Sequence, residues 1–231
     1  MFSKAEIEAG QLFLIDKPLH WTSFDVVNKM RYALRKAHGF KKLKVGHAGT
    51  LDPLATGLLL IAVGRKTKSI NELMGMDKTY TGEIFLGATR PSYDMETEVD
   101  KEYPVDHITE ESIAAVKSQF LGEIDQVPPI FSAIKKAGKK AYESAREGEE
   151  IKMEARKVRI ESLSLDAQHF PVIQFEVSCS KGTYIRSLAH DIGKALNSGA
   201  YLKSLRRSSI GSFKVEEALQ LEEFLASLPQ S

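Results

Sequence analysis

Strand-like and helix-like stretches interleave along this 231-residue chain, a pattern compatible with an α+β fold. Three stretches carry most of that expectation. Residues 58–63 (L-L-L-I-A-V) form an unbroken apolar run between Gly57 and Gly64, as a strand buried on both faces would. Ile173, Phe175, Val177 and Cys179 recur at the strand period of two. Ile185, Leu188, Ala189, Ile192 and Leu196 fall on one helical stripe.

The remaining elements follow in order. Residues 11–15 read as a short strand entering a turn at Asp16-Lys17-Pro18, and Thr22 or Ser23 can cap a helix carrying Val26, Val27, Met30, Ala33 and Leu34. Residues 69–74 suggest a short helix, and 78–86 a strand with Tyr80, Gly82, Ile84 and Leu86 on one face. Residues 109–121 form an amphipathic helix capped by Thr109 and ended by Gln126-Val127-Pro128-Pro129. Residues 156–165 and 172–179 read as paired strands, with Cys179 a small core residue rather than a nucleophile. Thr183 can cap the helix that follows; residues 201–212 look like the last strand, and 216–228 like a final helix.

Composition bounds the function. A chain that is 42% hydrophobic and 27% charged is that of an ordinary globular protein, long enough for one substantial core. No apolar run approaches the roughly 18 residues that span a bilayer, the first ten residues lack a secretory core, and one cysteine allows no internal disulfide. A cytoplasmic protein without a membrane partner is expected. The net charge of +1 conceals polarisation: residues 29–44 hold seven Lys or Arg and no acid, residues 135–159 nine basic residues against five acids, and residues 94–111 eight acids against Lys101. Solvated faces account for such runs singly; two basic zones on a near-neutral chain suit a polyanion of limited extent. Arg65-Lys66-Thr67 lacks the glycines of a phosphate loop, which argues against nucleotide hydrolysis.

The chemistry is concentrated in residues 44–64, K-V-G-H-A-G-T-L-D-P-L-A-T-G-L-L-L-I-A-V-G. Gly46, Gly49 and Gly57 permit tight turns or close backbone approach, and Pro53 pushes Asp52 away from helical geometry. A carboxylate on a loop anchored to a core strand is held still, although an Asp-Pro pair is also a common solvated turn. The segment resembles the signature G-H-x-G-T-L-D-P-x-A-T-G-x-L of the TruB-type tRNA pseudouridine synthases, with every fixed position present over residues 46–59.

That resemblance implies a mixed, mostly antiparallel central sheet flanked by helices, with an active cleft across its middle. It implies that Asp52 is the catalytic nucleophile and that His47 fills the place a flipped uridine leaves in the RNA stack. K-G-T-Y-I-R is intact, so Arg186 is expected to pair with Asp52 and Tyr184 to wall the uracil pocket. Independently, Arg186 stands in the first turn of its helix, where the dipole disfavours a cation unless a carboxylate faces it. The pattern D-K-x-Y makes Tyr80 the tyrosine packed on the target base, and L-R-R makes Leu205 an apolar wall of the pocket.

Residues 128–155 resemble the family's thumb, an insertion that closes over RNA. Lys135, Lys136, Lys139, Lys140 and Arg146 offer phosphate contacts there, while Gly138 and Gly148 allow movement. Two departures stand out. His20 replaces the glycine of D-K-P-x-G-x-T-S, and Thr89-Arg90-Pro91-Ser92-Tyr93-Asp94 differs from T-D-T-x-D, so no role is assigned there. Many bacterial relatives continue into a PUA-type RNA-binding domain; residues 1–231 are expected to be the catalytic domain alone.

The implied reaction converts the T-loop uridine at tRNA position 55 to pseudouridine, with the T-arm as partner and a monomer expected. It needs no redox change, and no metal-ligand cluster or dinucleotide fingerprint is present, so no cofactor is expected. A carboxylate with a reference pKa of about 3.9 is ionised at neutral pH and needs no activating base. Whether Asp52 attacks C1′, attacks the base or removes a sugar proton is left open by the sequence; Tyr80 is a candidate base for the C5 proton by position. Flipping costs a few kcal/mol, and stacking on Tyr80, worth about 1–3 kcal/mol, offsets it. An RNA-binding factor without chemistry would predict an altered Asp52 or Arg186, and a glycosidase would want a second acid about 5–10 Å away.

Overall fold

The computed structural model describes residues 3–131, 135–136, 139–140 and 153–229. It divides into two compact units, Met1–Tyr80 with Leu205–Ser231, and Thr81–Ser204.

In chain order the elements open with helix α1 (Lys4–Ala9), capped by Ser3 and Glu6, and strand β1 (Gln11–Lys17). The strand runs two residues into the expected turn, so Asp16 and Lys17 are buried strand residues. Thr22 caps α2 (Ser23–His38) through a capping box with Asp25, and Gly39 ends it in the left-handed conformation. Strand β2 (Val45–His47) and strand β3 (Ala55–Val63) flank the glycine-rich loop. A 3₁₀ turn (Gly64–Ser69) leads into α3 (Ile70–Gly75), one residue later than expected, and then β4 (Lys78–Leu86).

Short strands β5 (Ala88–Thr89) and β6 (Lys101–Glu102) pair with each other, before α4 (Glu110–Gln119), which Thr109 caps. Residues 122–126, given no strand by the sequence, form strand β7 (Gly122–Gln126) and pair with β10. The two-residue strands β8 (Lys135–Lys136) and β9 (Lys139–Lys140) make a small hairpin. Strands β10 (Arg156–His169) and β11 (Val172–Cys179) pair antiparallel, as the alternation predicts.

Tyr184, not Thr183, is the cap residue of α5 (Ile185–Ala195); the Thr183 hydroxyl instead donates to the Ser180 carbonyl. Strand β12 (Ala200–Ile210) is not the last: β13 (Phe213–Lys214), a 3₁₀ turn (Val215–Glu217) and β14 (Leu219–Gln220) follow. The final helix is therefore shorter than expected, α6 (Leu221–Ala226).

The sheet is mixed and mostly antiparallel, flanked by helices. In the first unit the strand order is β14-β1-β3-β12, with β2 on β3 and β13 on β12; in the second it is β4-β11-β10-β7. β1–β14 and β3–β12 are parallel, while β1–β3, β2–β3, β12–β13, β10–β11 and β7–β10 are antiparallel. β3 explains its own composition. One of its faces packs Leu59, Ile61 and Val63 with the α2 stripe and Phe224, and the other packs Leu58 and Leu60 with Leu73 and Ile210. A strand covered on both faces has no use for polar alternation.

Candidate active site

The loop between β2 and β3 carries Asp52 and is fastened from four directions. The Ala48 amide donates to the Leu60 carbonyl at 2.9 Å, tying the loop to its own strand. The buried Ser23 hydroxyl, in the first turn of α2, accepts from the Leu51 amide at 2.8 Å and donates to the Leu51 carbonyl at 3.1 Å. The His20 amide donates to the Pro53 carbonyl at 2.8 Å. Arg207 of β12 donates to the carbonyls of Leu58, Gly49 and Thr50 at 2.7, 3.0 and 3.5 Å. The turn at Asp52 closes on itself, its carbonyl accepting from the Ala55 amide at 3.0 Å.

Asp52 itself is half-buried, and its surroundings are cationic. Lys17 is fully buried, donating to the carbonyls of Pro18 at 2.9 Å and Trp21 at 2.6 Å. Burial lowers its pKa to about 8; the Asp52 carboxylate pulls upward and the Arg207 guanidinium pushes further down. His47, ending β2, is lowered by burial and then by Arg207, so its ring is neutral at pH 7. A neutral ring suits stacking better than a phosphate contact. Tyr80 is 9% exposed on β4, more enclosed than a half-buried strand aromatic. Leu205 is half-buried in parallel register with Ala55, three residues beyond Asp52. His20 takes φ 67°, so the histidine that replaces the family glycine does occupy the left-handed region.

The second unit holds Tyr184 and Arg186. The Arg186 side chain is 6% exposed, with Nε 3.6 Å from Asp94 Oδ2, and donates to the carbonyls of Ser92 at 3.3 Å and Phe131 at 2.9 Å. Asp94, given no role from the sequence, is thus a carboxylate that answers this cation. Tyr184 is bracketed by Gln126, whose side chain accepts from its amide at 2.8 Å and donates to its carbonyl at 3.1 Å. The Arg156 guanidinium lies over the Tyr184 ring at 4.4 Å, covering it with a planar cation. Next to Asp94, Tyr93 has φ 63° and stacks on His190 at 3.9 Å.

Sequence reasoning missed Asp94, Gln126 and Ser23. The one usable signal was the cation in the first turn of α5, which called for a carboxylate without saying where in the chain it stood. The backbone of Lys135, Lys136, Lys139 and Lys140 forms the β8–β9 hairpin, whereas Arg146 lies outside the described residues. Among the described residues, no three His, Cys, Asp or Glu gather to hold a metal ion, and no helix is long and apolar enough to cross a membrane.

The mixed sheet is that of a pseudouridylate synthase, and comparison with known proteins agrees. The model of the TruB family pseudouridylate synthase N-terminal domain matches residues 35–185, and that of the tRNA pseudouridylate synthase B C-terminal domain matches residues 186–230. The chain is 57% identical over 220 residues to tRNA pseudouridine synthase B of Flavobacterium johnsoniae, covering 95% of this chain and 96% of that one. The same-named protein of Phocaeicola vulgatus is 49% identical over 221 residues, covering 96% and 94%. Among solved structures, a Cbf5-Nop10-Gar1 complex matches with TM-score 0.73 at 28% identity, covering 96% of this chain and 55% of that one. An H/ACA RNP bound to a substrate RNA containing 2'-deoxyuridine matches with TM-score 0.69 at 27% identity, covering 95% and 53%. The chain spans about half the length of those two structures' chains. It belongs to the TruB family of pseudouridylate synthases.

Proposed function

We propose that this chain isomerises the T-loop uridine of tRNA, position 55, to pseudouridine, with Asp52 as nucleophile. The observation that carries the reading is the Asp52 loop, pinned at Ala48, Gly49, Thr50, Leu51 and Pro53 beside a buried ammonium. Such pinning holds one carboxylate in place without a ligand, as a positioned nucleophile requires. The names of the similar proteins supply the substrate class.

In the reaction the N1–C1′ bond breaks, the C5–C1′ bond forms, C5 loses its proton and N1 gains one. On this reading Arg186, which ion-pairs with Asp94, also serves Asp52 as its cation, Tyr80 stacks on the flipped base and is the candidate base for the C5 proton, and Tyr184 and Leu205 wall the pocket. His47 fills the vacated stack. Residues 1–231 act as one catalytic domain, a cytoplasmic monomer, with residues 128–155 closing over the T-arm through their lysines and Arg146.

The deciding experiment uses tRNA labelled with tritium at C5 of uridine. Asp52→Asn is expected to bind the T-arm within a few-fold of the unmodified chain and to release no tritium. Release by that variant would remove Asp52 from the chemistry. Binding through the thumb and residues 29–44 should weaken steeply with salt, and a flat response counts against that electrostatic contribution.

A further inference from the structure

Arg207 is 1% exposed and donates to three backbone carbonyls, two of them just ahead of Asp52. Its backbone position is equally constrained. Arg207 is the register partner of Gly57, which has φ 102°, and a Cβ on Gly57 would lie 2.3 Å from the Arg207 carbonyl oxygen. Gly49 has φ 98°, and a Cβ there would meet Arg207 Nη1 at 3.4 Å. Gly57 thus lets the β12 backbone approach closely at Arg207, and Gly49 takes a loop conformation that an L side chain rarely adopts.

A tether of this kind needs donors but not a charge, since carbonyls do not neutralise a guanidinium. Burying an arginine on neutral partners is costly unless an anion draws on its field. Lys17, also fully buried, feels that field together with those of Asp52, Asp16 and Asp25. Of these acids, Asp52 belongs to the loop that Arg207 holds.

We propose that Arg207 is a positioning residue for the isomerisation, aiming the Asp52 loop through Gly49 and Thr50 and, with Lys17, supplying positive charge at that loop. This rests on the reading of Asp52 as nucleophile. Arg207 touches no substrate in this account; it acts through the loop. Lysine in its place retains the charge but lacks the planar fork that reaches three carbonyls at once.

The test compares Arg207→Lys, Arg207→Gln and Asp52→Asn in the full chain, by melting, T-arm affinity and single-turnover tritium release. Arg207→Lys is expected to fold, to bind the T-arm within threefold and to turn over about a hundredfold more slowly, the scale of a small misplacement of a reacting group. The His47 imidazole, titrated by NMR, reports the charge separately from activity. Its pKa should rise in Arg207→Gln, which loses the cation, and stay in Arg207→Lys. The proposal is overturned if Arg207→Lys turns over at the unmodified rate, if rate and affinity fall by the same factor, if His47 titrates alike in the unmodified chain and both arginine variants, or if neither arginine variant folds. Turnover by Asp52→Asn instead overturns the nucleophile reading, whatever the Arg207 variants do.

Discussion

Arg186 Nε lies 3.6 Å from Asp94 Oδ2, with the two side chains 6% and 8% exposed. This ion pair explains how a cation survives in the first turn of α5, against the helix dipole. Removing one member of a buried pair leaves the other uncompensated. Asp94→Asn is therefore expected to lower single-turnover release at least tenfold while T-arm affinity stays within threefold. An unchanged rate would show that the pair has no bearing on turnover.

Gln126 fixes Tyr184, the residue before α5, from two sides, where no side chain caps the helix. In Gln126→Leu both Tyr184 backbone groups lose a partner, costing about 1–3 kcal/mol of stability. Urea unfolding monitored by circular dichroism measures this, and a midpoint identical to that of the unmodified chain contradicts it.

Lys17 titrates at about 8 in the folded chain, burial being the main cause, against an ordinary value of 10.5. The unfolded chain therefore holds this proton more tightly, and the Lys17 contribution to stability rises with pH between about 8 and 10.5. Relative to Lys17→Met, the unmodified chain should gain stability across that window. Parallel pH profiles for the two chains, read by urea unfolding, would count against the assignment.

His20 occupies φ 67° between Pro18 and the helix cap Thr22. Glycine carries no steric penalty there, whereas an L side chain costs roughly 1–2 kcal/mol in the left-handed region. The greater freedom of glycine in the unfolded chain offsets part of that difference. His20→Gly should raise stability by up to about 1 kcal/mol, seen as a higher urea midpoint; a lower midpoint means the imidazole makes a compensating contact.

Much of the architecture was legible because local rules suffice for it. The apolar run of β3, the alternation of β11, the stripe of α5 and the capping boxes at Thr22 and Thr109 each reflect burial or backbone satisfaction within a few residues. Strand β7 was missed because Gly122-Glu123-Ile124-Asp125-Gln126 is short and mostly exposed; its pairing with β10 overrides a composition that says loop. The C-terminal segment was over-read as one helix because apolar residues at helical spacing continue through a stretch that β14 pairs with β1.

By itself the sequence singled out Asp52 and its glycines as a candidate site and pointed to the family, since these sit in one contiguous segment with an unusual density of matched residues. Only the tertiary structure decided what holds each candidate residue: Arg207 on Gly49 across 158 residues, Gln126 on Tyr184 across 58, and Asp94 on Arg186. Periodicity records that a face is buried but not what lies against it. A side chain bonding a distant carbonyl obeys no spacing, and chain folding alone brings such partners within reach.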